Sequence, residues 1–199
     1  DVISLGPGDA RPIDNEEFFI TYFRDGAWTT SENMGAPINT KLNEGAQCIS
    51  ADGRSLFFTA CDNVETGYGS CDIYYSYRIG NQWTAPENCG TIINTGEWES
   101  QPSVTADGRE LFFSSARFGT VGSYDIWSAK MGDDGYWEEP VNLGNVINTP
   151  YSEQCPFIHP DRKTLYFSSD AHPGMGREDL FYSTRDAAGN WSKPKNLGY

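Results

Sequence analysis

The sequence predicts an all-β chain, a β-propeller of four-stranded antiparallel blades, with three complete copies of a blade repeat and part of a fourth. Three observations carry this. Trp28, Trp83, Trp137 and Trp191 recur at separations of 55, 54 and 54 residues. Each Trp is followed at fixed distances by Asn (Asn33, Asn88, Asn142, Asn196) and Gly (Gly35, Gly90, Gly144, Gly198). The triplet Ile-Asn-Thr then stands at 38–40, 93–95 and 147–149. Several positions agreeing on one period mark a repeat architecture. Four short strands per unit of this length is propeller spacing. Sandwiches do not repeat so faithfully, and solenoid periods are shorter.

Each unit reads as four strands in order. The first precedes a turn at Ala51-Asp52-Gly53, Ala106-Asp107-Gly108 and Pro160-Asp161-Arg162. Asp-Gly is a hairpin signal because glycine accepts positive φ without penalty, so Arg162 predicts a different or strained third turn. The second strand is an apolar run, Leu56–Thr59, Leu111–Ser114 and Leu165–Ser168, suited to burial on both faces. A Gly-rich loop leads to a third strand opening at Asp72-Ile73-Tyr74, Asp125-Ile126-Trp127 and Asp179-Leu180-Phe181. The fourth strand carries the Trp and, three residues on, Pro86, Pro140 or Pro194, with Ser31 the exception. Proline belongs on an edge strand, and the outermost strand of a blade is such an edge. The Trp is expected to cover the outer end of the sheet against a neighbouring blade.

The repeats place blades at 41–94, 95–148 and 149–199, with a partial blade over 1–40. Glu17–Tyr22 aligns with a third strand, and Val2–Leu5 is the one further strand signal before it. The chain reads as a fragment of a longer protein. No leader is read at Asp1, so an exported form would be mature or trimmed.

The net charge of −14 repels phosphate backbones and excludes nucleic acid as a partner class. The 38% hydrophobic and 14% aromatic content argues against disorder. No apolar run approaches the roughly 18 residues that span a bilayer, so membrane insertion is not expected. The five cysteines, Cys48, Cys61, Cys71, Cys89 and Cys155, form no Cys-x-x-Cys pair. Cys61 closes a second strand and Cys71 precedes the third, so antiparallel pairing brings them within disulfide reach. Cys89 replaces Met34, Leu143 and Leu197 and is expected buried and free; Cys48 and Cys155 are expected unpaired.

The motifs resemble the TolB-type (WD-like) propeller repeats. The residues carrying this are Trp-x-x-Pro-x-Asn-Leu-Gly, Ile-Asn-Thr, the run 156–169, and His172-Pro173-Gly174-Met175-Gly176. The versions in OmpA-family envelope proteins of Bacteroidota, including PorE-type components of type IX secretion, are the most similar. The resemblance covers about residues 16–199. It implies a periplasmic, outer-membrane-associated scaffold with other envelope proteins as partners. Peptidoglycan binding lies in a separate domain of that family and is not carried onto these residues. The family supplies no catalytic residues.

No catalytic constellation is legible. Neither His159 nor His172 stands in a serine or cysteine nucleophile pattern, and no Gly-x-Ser-x-Gly elbow occurs. Glu44, Glu99 and Glu153 each stand eight residues before a turn aspartate. Three carboxylates at one channel mouth could hold a structural Ca2+ by oxygen ligands. The plainer role is to accept backbone amides at a strand start. No other cofactor is expected. Gly-x-x-Asp at 69–72, 122–125 and 176–179 suits loop-capping aspartates. Aromatics outside the repeat register are better partner contacts than those inside it. The candidates are Trp98, Tyr151, Phe118, Tyr68, Met175 and His172. The reading is therefore a non-catalytic envelope binding module. An accessory propeller lid of a secreted hydrolase and a glycan-binding propeller are the alternatives.

Overall fold

The computed structural model describes residues 16–198. The Val2–Leu5 strand expectation lies outside them. Two small antiparallel pairs open the chain: β1 (Phe19–Ile20) with β4 (Glu32–Asn33), and β2 (Phe23–Arg24) with β3 (Ala27–Trp28). Three larger sheets follow. The first contains β5 (Asn43–Ile49), β6 (Ser55–Cys61), β7 (Cys71–Ile79) and an outer strand split into β8 (Gln82–Trp83) and β9 (Glu87–Asn88). A single helical turn, α1 (Gly90–Ile93), leads to the second: β10 (Glu99–Val104), β11 (Glu110–Ser115), β12 (Asp125–Lys130) and β13 (Val141–Asn142). The third is β14 (Glu153–Ile158), β15 (Thr164–Ser169), β16 (Asp179–Thr184) and β17 (Lys195–Asn196). Every ladder is antiparallel, and in the second and third sheets each joins consecutive strands, as short hairpin connections allow.

The sheets pack face to face in chain order, and alternation along the second and third strands supplies both faces. Phe57 and Ile73 of the first sheet meet Leu111, Phe113 and Trp127 of the second. Phe112 and Ile126 turn the other way, onto Leu165, Phe167 and Phe181 of the third. Leu56, Phe58 and Tyr74 pack against Phe18 and Ile38 from the opening segment. The central sheet is thus covered on both sides, and every residue of β11 is buried. Polar contacts register the sheets as well: Arg185 forks onto Glu110 at 2.9 and 2.6 Å, and Thr59 shares a 3.0 Å bond with Ser100.

Three details refine the sequence reading, and the second follows its expectation that the Trp packs against a neighbouring unit. The Trp and the fourth strand separate. Trp137 and Trp191 make only isolated bridges to Met131 and Arg185, and the ladder resumes after the proline at β13 and β17. Proline has no N–H to keep such a ladder continuous. Second, Trp137 packs edge-on to Phe57 and Trp191 to Phe112, each on the preceding sheet. Trp28 is 69% exposed, since among the described residues no sheet precedes it. Third, the inner strands carry bulges between Gly45 and Cys48, Ser100 and Ser103, and Gln154 and Phe157. In each bulge one non-glycine residue takes positive φ: Ala46, Gln101 or Cys155.

The Arg162 turn keeps the shape of its relatives. Its amide donates to His159 O at 2.8 Å, as Gly53 does to Ser50 and Gly108 to Thr105, and its φ is +61°. A left-handed arginine costs on the order of 1–2 kcal/mol. The Arg162–Asp107 ion pair at 2.6 Å ties this turn to the preceding repeat.

Candidate functional site

The recurring polar residues form one buried device per junction. The triplet asparagine mimics a strand. Asn94 Nδ2 donates to Ile73 O and Asn94 Oδ1 accepts from Ile73 N, at 2.9 and 2.8 Å. Asn148 does the same to Ile126, and Asn39 to Phe18. Each also donates to the fourth-strand asparagine, Asn33, Asn88 or Asn142, whose Oδ1 accepts the following glycine amide. A side-chain amide that pairs both backbone groups of one residue replaces a missing ladder rung, so the connection needs no strand of its own.

Glu44, Glu99 and Glu153 are all buried. Glu99 accepts Thr95 N at 2.7 Å, Thr95 Oγ1 at 2.9 Å and Ser115 Oγ at 2.6 Å. Glu153 repeats this with Thr149 and Ser169, and Glu44 bonds Thr40 N and Oγ1. Glu99 and Glu153 are thus held by three groups of their own repeat, while Glu44, opposite Ala60, is held by Thr40 alone. Among the described residues no group of three or more His, Cys, Asp or Glu side chains is placed to hold a metal ion. Asp72, Asp125 and Asp179 accept paired loop amides, from Tyr68 and Gly69, Val121 and Gly122, and Met175 and Gly176. Burial raises the Asp72 carboxyl above the usual range against these bonds.

Arg117 is the member the repeat pattern hid. Its guanidinium is buried, donates Nε to Ser115 Oγ at 3.0 Å and an Nη to Ile93 O, and lies 3.5 Å from Glu99. The rings of Phe113 and Trp127 stack on it at 4.9 and 5.3 Å. The only signal was an arginine just past the second strand, where the other units have Asp62 and Ala171. His172 does the equivalent work in the third unit: its Nε2 meets Ile147 O at 2.8 Å, between Phe167 and Phe181. It turns inward and is half-buried.

The remaining partner candidates gather at one end of the sheets. Strand pairing puts the starts of β5, β10 and β14 beside the ends of β6, β11 and β15 and the starts of β7, β12 and β16. Loops 62–70, 116–124 and 170–178 therefore emerge together, with connections 95–98 and 149–152 between them. Ser70 N donates to Glu97 O and Ser123 N to Tyr151 O, stitching loop to connection. Gly69 and Gly122 allow it, since a Cβ at either would lie 1.9 or 1.8 Å from those carbonyl oxygens. Phe118 (100% exposed), Tyr68, Tyr151 and Met175 project from this end, joined by Val64 and Val121, which the sequence reading did not single out. Trp98 lies flatter, half-buried edge-on to Tyr124 at 4.7 Å.

Cys61 and Cys71 form a disulfide. Their Cα atoms are 4.0 Å apart, closer than the expected reach, because the two residues face each other across the β6–β7 ladder. Cys48, Cys89 and Cys155 are free. Cys89 is half-buried rather than buried, because it borders a shallow groove of about 410 Å3 between the first two sheets, beside Tyr75, Tyr77 and Trp137. Desolvation pushes the Cys89 thiol and the Tyr75 phenol well up, the latter with help from its bond to Glu87.

No protein-family model matches the sequence, and no curated protein matches it. Solved structures do match. TolB from Acinetobacter baumannii superposes with a TM-score of 0.56 at 13% identity, over 85% of this chain and 35% of that one. A putative TolB from Agrobacterium tumefaciens gives 0.53 at 18%, over 90% and 60%. An α-L-arabinofuranosidase from Lactobacillus brevis gives 0.52 at 16%, over 88% and 63%. The chain thus spans about a third to three fifths of the TolB chains it matches. With its strand-only sheets and their stacking, the chain has an all-β, TolB-like fold.

Proposed function

We propose that the chain is a non-catalytic β-propeller binding module of an exported protein, with the loop end as its partner surface. In this reading the three large sheets are the blades of 41–94, 95–148 and 149–199, and the opening pairs belong to a partial one. The observation that carries it is the contrast between the two classes of side chain. The triplet asparagines, the strand-start glutamates and the loop-capping aspartates are hydrogen-bonded within the fold, whereas apolar residues outside the repeat register stand exposed on stitched loops. Rigid exposed aromatics are the usual anchors of protein interfaces. The disulfide supports an oxidising compartment such as the periplasm. The likeness to OmpA-family repeats extends the reading to the outer membrane and to envelope partners, including type IX secretion components.

A photo-crosslinking residue at Phe118 or Tyr151, in the envelope fraction, tests this. The reading expects one specific adduct there and none from Tyr77 at the far end of β7. Equal labelling at both ends, or no adduct, overturns it. A second reading, an accessory propeller of a hydrolase, draws on the puromycin hydrolase S511A structure, which matches with a TM-score of 0.51 at 12% identity over 90% of this chain and 27% of that one. Hydrolysis by the parent protein, lost on deleting this region, would favour it.

A further inference from the structure

The groove of about 410 Å3 between the first two sheets differs from its counterpart at the next junction. A continuous row of rings crosses it: Tyr77 lies 5.3 Å from Tyr75, Tyr75 6.3 Å from Phe57, and Phe57 6.2 Å from Trp137. Tyr136, 76% exposed, adds a ring from the turn before Trp137. Two of these rings lie outside the repeat register. The Tyr77 position carries Lys130 and Thr184 in the other units, and the residue before the Trp is Gln82 or Asn190 where Tyr136 stands. Among the described residues no charged side chain lines this groove, in a chain of net charge −14. The counterpart, of about 390 Å3, is lined by Glu110, Lys130, Glu138, Glu139 and Arg185. The polar groups divide as well. Asn88 is spent inside the fold: its Oδ1 accepts from Gly90 N and Asn94 Nδ2, and its Nδ2 donates to Thr66 O. The Tyr75 hydroxyl donates to Glu87 at 2.8 Å. The hydroxyls of Tyr77, Tyr136 and Thr91 and the Trp137 N–H line the groove and bond no other described residue.

We infer that this groove binds a neutral glycan, a β-linked chain of glucose-type pyranoses. The axial C–H bonds of such a sugar make two flat apolar faces, and their hydrogens carry the partial positive charge that the negative face of an aromatic ring attracts. Its hydroxyls point outward in the ring plane, toward the rim. Each of them both donates and accepts, as the Tyr and Thr hydroxyls do. The sugar carries no charge, so it needs no ion partner and escapes the repulsion that an acidic chain imposes on carboxylates and phosphates. The volume falls within the roughly 300–1,000 Å3 of small-ligand sites, whereas a folded protein partner needs about 800 Å2 of surface. Every lining residue falls between 57 and 137, and both walls are described sheets. Repeats added at either end of the chain would therefore leave the groove as it is. It lies at the opposite end of β7 from the loop surface, so the two readings stand or fall separately.

Titration calorimetry of the chain with cellotetraose and with chitotetraose tests this, with decaproline as the peptide control. At least one tetrasaccharide should bind saturably, with an affinity that salt leaves unchanged, and decaproline should not bind. Tyr77→Ala and Tyr136→Ala should each weaken binding by about tenfold or more, as truncating an anchoring ring does. Tyr182→Ala removes the ring that the third sheet carries at the Tyr75 position, away from the groove, and should bind as the wild type does. Tyr77 and Tyr136 are exposed, and far-UV circular dichroism with an intact disulfide checks folding. If either alanine variant unfolds, Tyr77→Lys and Tyr136→Asn, which copy Lys130 and Asn190, replace the pair. No binding of either tetrasaccharide, an affinity indifferent to both groove substitutions, a loss of affinity at high salt, or decaproline bound at the same tyrosines would each overturn the inference.

Discussion

Reducing the Cys61–Cys71 bridge, or replacing both residues in C61A/C71A, should lower stability by an amount the loop length sets. The bridge closes a separation of ten residues. The chain-entropy relation gives about 9 cal/mol/K for a loop of this size, or about 2.7 kcal/mol at 25 °C. The folded loop keeps its shape without the bridge. Asp62 N donates to Ser70 O at 2.9 Å, Gly67 N to Asn63 O at 2.8 Å, and Asp72 holds the Tyr68 and Gly69 amides. The loss therefore acts through a freer unfolded chain. Urea unfolding followed by tryptophan fluorescence, with and without reductant, measures it. The midpoint should fall in proportion, and the melting temperature by about 5–11 °C for a chain of this size. Reduced wild type and C61A/C71A should agree. An unchanged midpoint, or a change well above this figure, would refute the entropic account and point to strain or to a loop that needs the bridge to fold.

Three further predictions follow, two from the buried device and one from the turn aspartates. Arg117→Ala should cost about 3 kcal/mol, because it strips the partner from buried Glu99 and the donor from Ile93 O; Arg117→Lys should not restore it, and full rescue by lysine would contradict the forked geometry. Ala60 stands where Ser115 and Ser169 bond their glutamates, so Ala60→Ser should add a bond to Glu44 and about 1 kcal/mol by urea denaturation; a lower midpoint would contradict it. Stability should fall with acid. Hydrogen bonds from Ser50 and the Arg54 amide hold Asp52 below the usual carboxylate range, those from Asn190 hold Asp186 there, and Asp107 and Asp161 are held low against burial by their turns. A depressed carboxyl stabilises above its unfolded pKa of about 3.9 and loses that contribution as pH drops through its folded value. Asp72, raised by burial, opposes them. The urea midpoint should decline below about pH 4; a rise there would show that Asp72 dominates.

Strand order, turn positions and the disulfide were legible in the sequence, because they depend on local chemistry and period. Asp-Gly marks a hairpin turn, an apolar run such as Leu111–Ser114 reads as a strand before its packing is known, and Cys61 and Cys71 are adjacent once β6 and β7 pair. The periodic glutamates and asparagines were visible as a pattern, and a strand-start role for the glutamates was one of two readings.

Only the tertiary structure decided what each repeated residue faces. Arg117 and His172 have no shared register, yet both reach the same triplet carbonyl, at Ile93 and Ile147, because two loops of different sequence fold over equivalent junctions. Trp28 and Trp137 are the same position in sequence, and one is exposed while the other is packed. Leu180 and Ile126 differ in the same way. A repeat specifies its own sheet through local pairing, but burial is a property of two surfaces, and the second surface belongs to another repeat. The sequence by itself therefore determined the unit and its strands, and the stacking of units determined which of its faces is core and which is left open.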